Sequence, residues 1–324
     1  MLPAMLRFRM VLGVLAVALV ACGDDGSNEG GSGGPGVVVA TGRVGAAGGR
    51  LVTDDGALEL RIPAAALAEE TQITVKRLAA ADWPGDTVVS PPLGDAVYEL
   101  LPDGLRFEQP VQVVHRTSAA DLAAGEGGRF PAASHVSRAK AGDFERSPTT
   151  VVYERSGAAS IVGTIEHFST HWATVGTEYG DIALLLDRDE SGVAPLEGSY
   201  GVYMMGLVSS DPGPHEFDFI AGAYASAPAI AQPEVFEDWS VVADMTAIDD
   251  VFTALETNER PIAGARSAPY PVKLEGLDPI SLGLYCPAFT CAEEGESTIW
   301  YEFTFVDAGV TVIVEDHLTC MSVP

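Results

Sequence analysis

The stretch GRVGAAGGRLVTDDGALELRIPAAALAEETQITVKR, residues 42–77, contains a clear β-strand pattern from which the fold class can be predicted. Within it, Leu58, Leu60 and Ile62 alternate with charged residues, so all three point to one face of an extended strand. Pro63 follows at once and ends that strand, because proline cannot donate a backbone hydrogen bond. A short alternating run closed by a strand breaker predicts a β-strand with one buried face.

The same pattern continues outward along the chain. Alternating or β-branched runs are separated by Gly, Pro and Asp about every ten residues, a spacing typical of an all-β sandwich. The strands predicted up to residue 175 are Val37–Arg43, Arg50–Val52, Ala57–Ile62, Gln72–Arg77, Ala96–Leu101, Val111–His115, Thr149–Glu154, Ser160–Ile165 and His171–Val175. Residues 116–148 lack this alternation, and we predict a long, partly flexible insertion there.

The composition changes near residue 178. Residues 179–324 hold 25 acidic side chains against four basic ones, while residues 37–178 hold 18 against 12. This shift predicts a domain boundary, with one domain over 37–177 and an acidic β-rich domain over 178–324. Strands are predicted in the second domain at Ser199–Val208, His215–Ile220, Trp239–Met245, Ile280–Tyr285, Thr298–Val306 and Gly309–Glu315. Apolar residues at helical spacing predict one helix there, Ile248–Asn258.

Two segments of the first domain resemble the ZU5 family. The first has the doubled glycine Gly48-Gly49, a hydrophobic strand, and Ile-Pro-x-x-Ala-Leu before Ile-Thr-Val; the second, VYELLPDGLRFEQPVQV over residues 97–113, has Tyr, Pro-x-Gly, Phe and Pro-Val in the family's order. The resemblance covers about residues 38–176 and implies a ZU5-like β-sandwich that acts as a protein-interaction module. The 116–148 insertion departs from the family's pattern.

The segment EHFSTHW, residues 166–172, admits two interpretations. As the final strand of a β-domain, it places Phe168 and Trp172 on an apolar face, with the histidines and Ser169 on the other. A His-Phe-Ser run also ends domains similar to ZU5 in receptors and signalling proteins that cleave themselves. That resemblance implies His167 as base, Ser169 as nucleophile and Phe168 as acyl donor. Such chemistry requires a distorted peptide and a histidine nitrogen within about 3 Å of the hydroxyl.

The N-terminus predicts export and lipid attachment. Arg7 and Arg9 precede the apolar run Met10–Val20, so residues 1–21 are typical of a signal peptide. Leu-Val-Ala-Cys, ending at Cys22, resembles a bacterial lipobox, which implies cleavage before Cys22 and acylation, palmitate included, as a membrane anchor. Residues 22–36 then form a lipidated, glycine-rich flexible tether. Because Gly23 rather than Asp follows the cysteine, we expect the outer membrane of a Gram-negative cell envelope.

Charge and cysteines restrict the partners and the covalent links. The net charge of −28 argues against nucleic acid as a partner. The partners expected are the membrane, through the lipid anchor, and a protein or polysaccharide whose identity the sequence does not specify. If Cys22 carries lipid, Cys286, Cys291 and Cys320 remain, and an oxidising compartment predicts one disulfide among them. We prefer Cys286–Cys291 across CPAFTC over a pairing with Cys320.

The sequence contains part of a calcium-binding loop and none of four common catalytic or nucleotide-binding motifs. Asp187, Asp189 and Ser191, followed by Gly192, match the first half of a calcium loop, but position twelve is Gly198 instead of a bidentate Glu. An acidic interdomain turn is the preferred interpretation, with calcium-stabilised adhesion as the alternative. The sequence holds no G-x-S-x-G, H-E-x-x-H, C-x-x-C or G-x-x-x-x-G-K motif. We therefore predict a non-catalytic binding or structural module without a cofactor.

Overall fold

The protein is all-β in the part of the chain that the computed structural model describes. The described residues are 36–138, 144–189, 191–209, 215–225, 230–237, 260–263, 270–274 and 280–322. Residues 1–35, which hold the predicted signal peptide, Cys22 and the predicted tether up to its last residue, lie outside them, as do the predicted helix Ile248–Asn258 and strand Trp239–Met245. Within the described ranges, no helix has the length and apolar character needed to cross a membrane.

The strands up to residue 175 include all nine that the sequence predicts, with ends shifted by a few residues. They are β1 (Val37–Val44), β2 (Gly49–Val52), β3 (Leu58–Ile62), β4 (Thr71–Arg77), β5 (Val97–Leu101), β6 (Arg106–Ser118), β7 (Arg129–Pro131), β8 (Ala133–Arg138), β9 (Phe144–Ser147), β10 (Thr149–Tyr153), β11 (Ala158–His167) and β12 (Thr170–Val175).

Beyond residue 175, the five predicted strands that fall on described residues are also confirmed, and most are longer than predicted. The strands of this half are β13 (Asp181–Arg188), β14 (Val193–Pro195), β15 (Ser199–Ser209), β16 (His215–Ala225), β17 (Ile230–Glu237), β18 (Arg260–Ala263), β19 (Tyr270–Leu274), β20 (Ile280–Cys291), β21 (Gly295–Phe305) and β22 (Val310–Met321).

These strands form a two-layer sandwich. One layer is a ten-stranded sheet in the order β19-β16-β21-β22-β10-β11-β6-β3-β2, with β14 beside β22. Its buried face is continuous, because consecutive cross-strand partners along it are all buried: Leu60, Val113, Gly163, Thr149, Val310, Phe305 and Phe219. Two six-stranded sheets cover that face, β1-β4-β5-β12-β8-β9 at one end and β18-β17-β20-β15-β13-β7 at the other.

The segment 116–148, predicted as a long, partly flexible insertion between strands, itself contains strands. Its second half forms β7, β8 and β9, and β8 pairs with both β12 and β9 inside a sheet. The alternation is hidden because β8 buries polar as well as apolar side chains, including Ser134, His135 and Ser137. A pattern that assumes polar residues face water cannot detect such a strand.

The two halves of the chain share their hydrogen bonding across the predicted boundary near residue 178. Strand β10, from the first half, pairs in parallel with β22 at the C-terminus, and β7 pairs with β13. Residues 35–324 accordingly form one compact unit. The shift in acidity therefore does not mark a break in the sheets.

The preferred disulfide is also wrong. The bond joins Cys291 to Cys320, whose Cα atoms are 5.6 Å apart. Cys286 and Cys291 lie in the single extended strand β20, and five residues of strand separate Cα atoms by about 16 Å, well beyond the reach of a disulfide. Because the CPAFTC segment is extended rather than a turn, only a partner on another strand can reach Cys291.

Candidate functional site

The His-Phe-Ser segment is a crossover between the two layers. Strand β11 of the ten-stranded sheet ends at His167, and β12 of the covering sheet begins at Thr170. The chain changes sheets at Phe168–Ser169, so the segment is not one extended strand, in agreement with the gap between the strands predicted at Ser160–Ile165 and His171–Val175. Phe168 is 1% exposed and packs edge-on against Phe107, with ring centroids 4.9 Å apart. The packing role expected for Phe168 is confirmed.

Backbone hydrogen bonds fix this crossover. The Phe168 N–H donates to the Leu105 carbonyl at 2.9 Å, and the Phe168 carbonyl accepts from the Gly104 N–H at 3.0 Å. The Ser169 carbonyl accepts from the Leu100 N–H at 2.9 Å. The peptide between Phe168 and Ser169 is thus held on both sides, and its carbonyl oxygen is polarised by a backbone donor.

Three histidines lead away from Ser169 in a continuous hydrogen-bonded chain. His171 Nε2 lies 3.2 Å from Ser169 Oγ and accepts the Ser169 backbone N–H at 3.1 Å. His171 Nδ1 is 3.2 Å from His135 Nε2, and His135 Nδ1 is 3.0 Å from His115 Nε2. We call Ser169, His171, His135 and His115 the histidine chain.

The histidine chain spans the gap between the layers. His115 projects from β6 of the ten-stranded sheet, while His135 and His171 project from β8 and β12 of the covering sheet. Gly163 makes room for it: a Cβ at that position would lie 2.3 Å from both Cβ and Cγ of His135. The absence of a side chain at one residue of β11 therefore allows the central histidine to sit directly against the opposite sheet.

Burial keeps these rings neutral. His135 and His171 are 0% exposed and His115 is 6% exposed. Loss of hydration disfavours the imidazolium form and lowers the pKa of His115 and of His171 to about 3. The pKa of His135 is also well below its usual value, because of burial first and then its two histidine neighbours. At neutral pH each ring therefore has one N–H donor and one lone pair.

His167 does not meet the serine. Its side chain lines a surface pocket of about 420 Å³, together with Arg106, Glu145 and Arg146. Its Nδ1 is buried and has no hydrogen-bond partner among the described residues, and the Ser169 hydroxyl contacts His171 instead. The contact between His167 and Ser169 that the sequence interpretation requires is thus not made, whereas His171, which strand alternation placed on the same face as Ser169, makes it.

A second buried polar group lies on the outer face of the ten-stranded sheet. The Glu59 carboxylate, 1% exposed, accepts hydrogen bonds from Arg50 at 2.5 and 2.9 Å, from Arg61 at 2.7 Å and from Arg116 at 2.6 Å. The Arg50 guanidinium, followed by Arg61 and Arg116, holds the pKa of Glu59 far below its usual value against the opposing effect of desolvation. We call these four residues the Glu59 cluster.

The calcium-loop residues form a local turn. Asp189 Oδ1 accepts the Ser191 N–H at 2.9 Å, and the Asp189 carbonyl accepts the Tyr200 hydroxyl at 3.0 Å. Asp187 lies within β13. In the described part of the chain, no three His, Cys, Asp or Glu side chains are grouped so as to hold a metal ion. This geometry agrees with the acidic-turn interpretation, and calcium binding stays a prediction.

Comparisons with known proteins give little further information. No protein-family model and no curated protein matches the chain, so the ZU5 resemblance stays a prediction. Similar solved structures include the Streptococcus agalactiae AgI/II polypeptide BspA C-terminal domain, at 10% identity and a TM-score of 0.20, covering 66% of this chain and 93% of that one. A mutant form, BspA_C_mut, gives 10% identity and a TM-score of 0.21, covering 76% and 98%. TM-scores this low support no inference about fold or function.

Proposed function

We propose that this chain is a cell-envelope lipoprotein, anchored through Cys22 in the outer membrane, whose β-sandwich serves as a non-catalytic binding or structural module. The observation that carries the proposal is that the buried polar groups connect neighbouring strands and the two layers. The Glu59 cluster ties β2, β3 and β6 together, and the histidine chain joins the two layers. Both stabilise a rigid scaffold, and the acidic surface keeps it soluble at the end of its tether.

Lipid attachment is tested by comparing the full chain with Cys22→Ala. The expected result is that the wild-type chain sediments with membranes and gains the mass of its acyl chains, while Cys22→Ala is released. Cys286→Ala is the matched control, because it removes a thiol that takes no part in the Cys291–Cys320 bond, and it should remain anchored. Release of both variants, or of neither, would contradict anchoring through Cys22.

A non-catalytic role is tested with chemical cross-linking in intact envelopes. Ser169→Ala and wild-type chains should capture the same protein or polysaccharide partner to the same extent, because the scaffold does not depend on the hydroxyl. A partner whose capture requires the hydroxyl would argue against the non-catalytic role.

The contact between Ser169 and His171 favours a second candidate function, self-processing at the Phe168–Ser169 bond. The hydroxyl lies 3.2 Å from an unprotonated imidazole nitrogen, and the Phe168 carbonyl receives the Gly104 N–H. A nucleophile, a base and an oxyanion donor thus surround one peptide bond. Cleavage would leave residues up to Phe168 with the lipid, while the part from Ser169 stays bound through strand pairing.

Self-processing is tested by the intact mass of the full chain under denaturing conditions, which separates associated fragments. Two species meeting between Phe168 and Ser169, both absent from Ser169→Ala, would establish it. Ser156→Ala, in an exposed turn, is the matched control and should behave as wild type. A single full-length species in the wild type would make the crossover purely structural.

A further inference from the structure

We propose that His171, and not His167, carries the proton in cleavage of the Phe168–Ser169 bond, and that His135 and His115 are positioning residues that hold His171 in the required tautomer. This inference rests on the self-processing candidate above. It is carried by one feature of the site: a single nitrogen, His171 Nε2, contacts both the hydroxyl that would attack and the backbone nitrogen that would leave.

The tautomer of His171 follows from its backbone contact. The Ser169 peptide nitrogen always carries a proton, so the nitrogen that faces it at 3.1 Å must offer a lone pair. In a neutral imidazole the proton then resides on Nδ1. Nε2 of His171 is therefore a base in the resting protein, without any prior proton transfer.

The tautomers of His135 and His115 follow in the same way. His171 Nδ1–H donates to His135 Nε2, which must be unprotonated, so His135 carries its proton on Nδ1. That N–H donates to His115 Nε2, and His115 in turn is protonated on Nδ1. One backbone N–H thus determines the tautomers of three buried rings. His135 and His115 touch neither reacting atom, and they act by holding the His171 ring.

The proposed step balances without any co-reactant other than water. Ser169 Oγ bonds to the Phe168 carbonyl carbon while its proton moves to His171 Nε2. The negative charge on the carbonyl oxygen is stabilised by the Gly104 N–H, 3.0 Å away. The carbon–nitrogen bond then breaks, and His171 returns the proton to the Ser169 nitrogen, which becomes an amine. Water hydrolyses the resulting ester, which leaves a Phe168 carboxylate and restores the hydroxyl.

His167 does not lie where it could act as the base in this reaction. It lies at the end of β11 in the opposite layer, where it lines the pocket with Arg106 and Arg146. No hydrogen bond joins it to Ser169 among the residues that the structure describes. Its replacement therefore provides a matched control, since it changes a histidine two residues before Ser169 instead of two residues after it.

The test is a pulse-chase of the full chain, with fragments resolved under denaturing conditions. His171→Asn should slow cleavage by about 100-fold or more, the usual contribution of a general base. His135→Gln should slow it by about tenfold or more, because the His171 tautomer is no longer fixed. His167→Asn should be cleaved at the wild-type rate. Rapid cleavage of His171→Asn, or its loss in His167→Asn, would overturn the assignment.

A second measurement separates this inference from the fate of the self-processing candidate. ¹⁵N NMR of the wild-type imidazoles distinguishes protonated from unprotonated ring nitrogens, and it should find Nδ1–H on all three rings. If the wild-type chain is not cleaved, the self-processing candidate fails, and the proposed role of His171 fails with it. If the chain is cleaved but His171 is protonated on Nε2, self-processing stands and the proposed role of His171 as the base is overturned. This readout does not depend on the folding of any variant.

Discussion

The Glu59 cluster and the histidine chain are both buried polar networks, and they share strand β6 through the adjacent residues His115 and Arg116. Glu59 is nevertheless ionised, whereas the three histidines are neutral. Glu59 keeps its charge because three arginines, whose side chains are 42–61% exposed, reach it from the solvent side. The three rings lie between the layers, where their hydrogen-bond partners among the described residues are one another and Ser169. Access of a charged partner decides whether a buried group is ionised.

The two networks also differ in how they are connected. Three arginines act in parallel on one carboxylate, so two remain when one is lost. The histidines act in series, so loss of His135 removes the partner of His115 Nε2 and of His171 Nδ1 at once. The series network should therefore be sensitive to single changes, and the parallel network should be tolerant of them.

The largest expected difference is in pH dependence. The histidines have a folded pKa far below the unfolded value of about 6.5, so their stabilising contribution is complete above pH 6.5. It is lost as the pH falls towards 3, because the unfolded chain binds protons that the folded chain excludes. With three rings at up to about 1.4 kcal/mol per pH unit each, and the unfolded histidines half protonated at pH 6.5, the free energy of unfolding should fall by roughly 5 kcal/mol between pH 6.5 and 5.

Urea unfolding over this pH range measures the effect. Glu59 should contribute nothing to it, because its pKa is depressed and its stabilisation is lost only below the normal carboxylate range. His317→Asn replaces a half-buried histidine that is not part of the histidine chain. This control variant should show the same change in unfolding free energy with pH as the wild type. A flat profile from pH 6.5 to 5 would mean that the three rings are hydrated.

Gly163→Ala tests the space that the histidine chain requires. The added methyl group would lie 2.3 Å from two carbon atoms of His135, so the two layers must separate or the chain must break. Overpacking of this kind costs about 3 kcal/mol, to be measured as the free energy of unfolding. Gly201→Ala is the control, because nothing lies within 4 Å of its added carbon. Equal stability of the two variants would show that the layers are not in contact at His135.

Of the strands that surround Gly163, the sequence predicts three and misses one. Alternation identifies β6, β11 and β12, because apolar residues recur on their buried faces. It misses β8, because a buried face of serine and histidine reads as a solvent-exposed loop. His135, the centre of the chain, therefore cannot be found from periodicity, and its partners depend on a layer contact that no local pattern encodes.

The same limit applies to Glu59 and to the disulfide. A glutamate inside an alternating strand reads as exposed, and only the neighbouring strands supply Arg50 and Arg116. Cys286 and Cys291 are close in sequence but are held apart by an extended backbone. Pairings across strands depend on register, and register is fixed by the whole sandwich.

Glu59→Gln tests whether the parallel network depends on charge. The amide keeps the shape of the side chain but leaves three guanidinium groups without their common anion, at a cost of about 2 kcal/mol in unfolding free energy after allowance for solvent screening. Glu70→Gln is the matched control, since its ion pair with Arg43 is mostly exposed and should change stability by less than about 0.5 kcal/mol. If the two variants were equally stable, the Glu59 cluster would have to be treated as an ordinary surface network.

Arg116→Gln should give the smallest effect and tests the parallel arrangement itself. Its guanidinium donates to Glu59 Oε2 at 2.6 Å, but Arg50 donates to the same oxygen at 2.9 Å. The carboxylate therefore stays charged and bonded, and the loss should be about 0.5 kcal/mol, measured by urea unfolding at low and at high salt. A second substitution, Arg61→Gln, should cost more in the Arg116→Gln background than alone, because fewer donors then remain. Additive losses would mean that each arginine acts independently, and the contrast with the histidine chain would then rest on charge and not on connectivity.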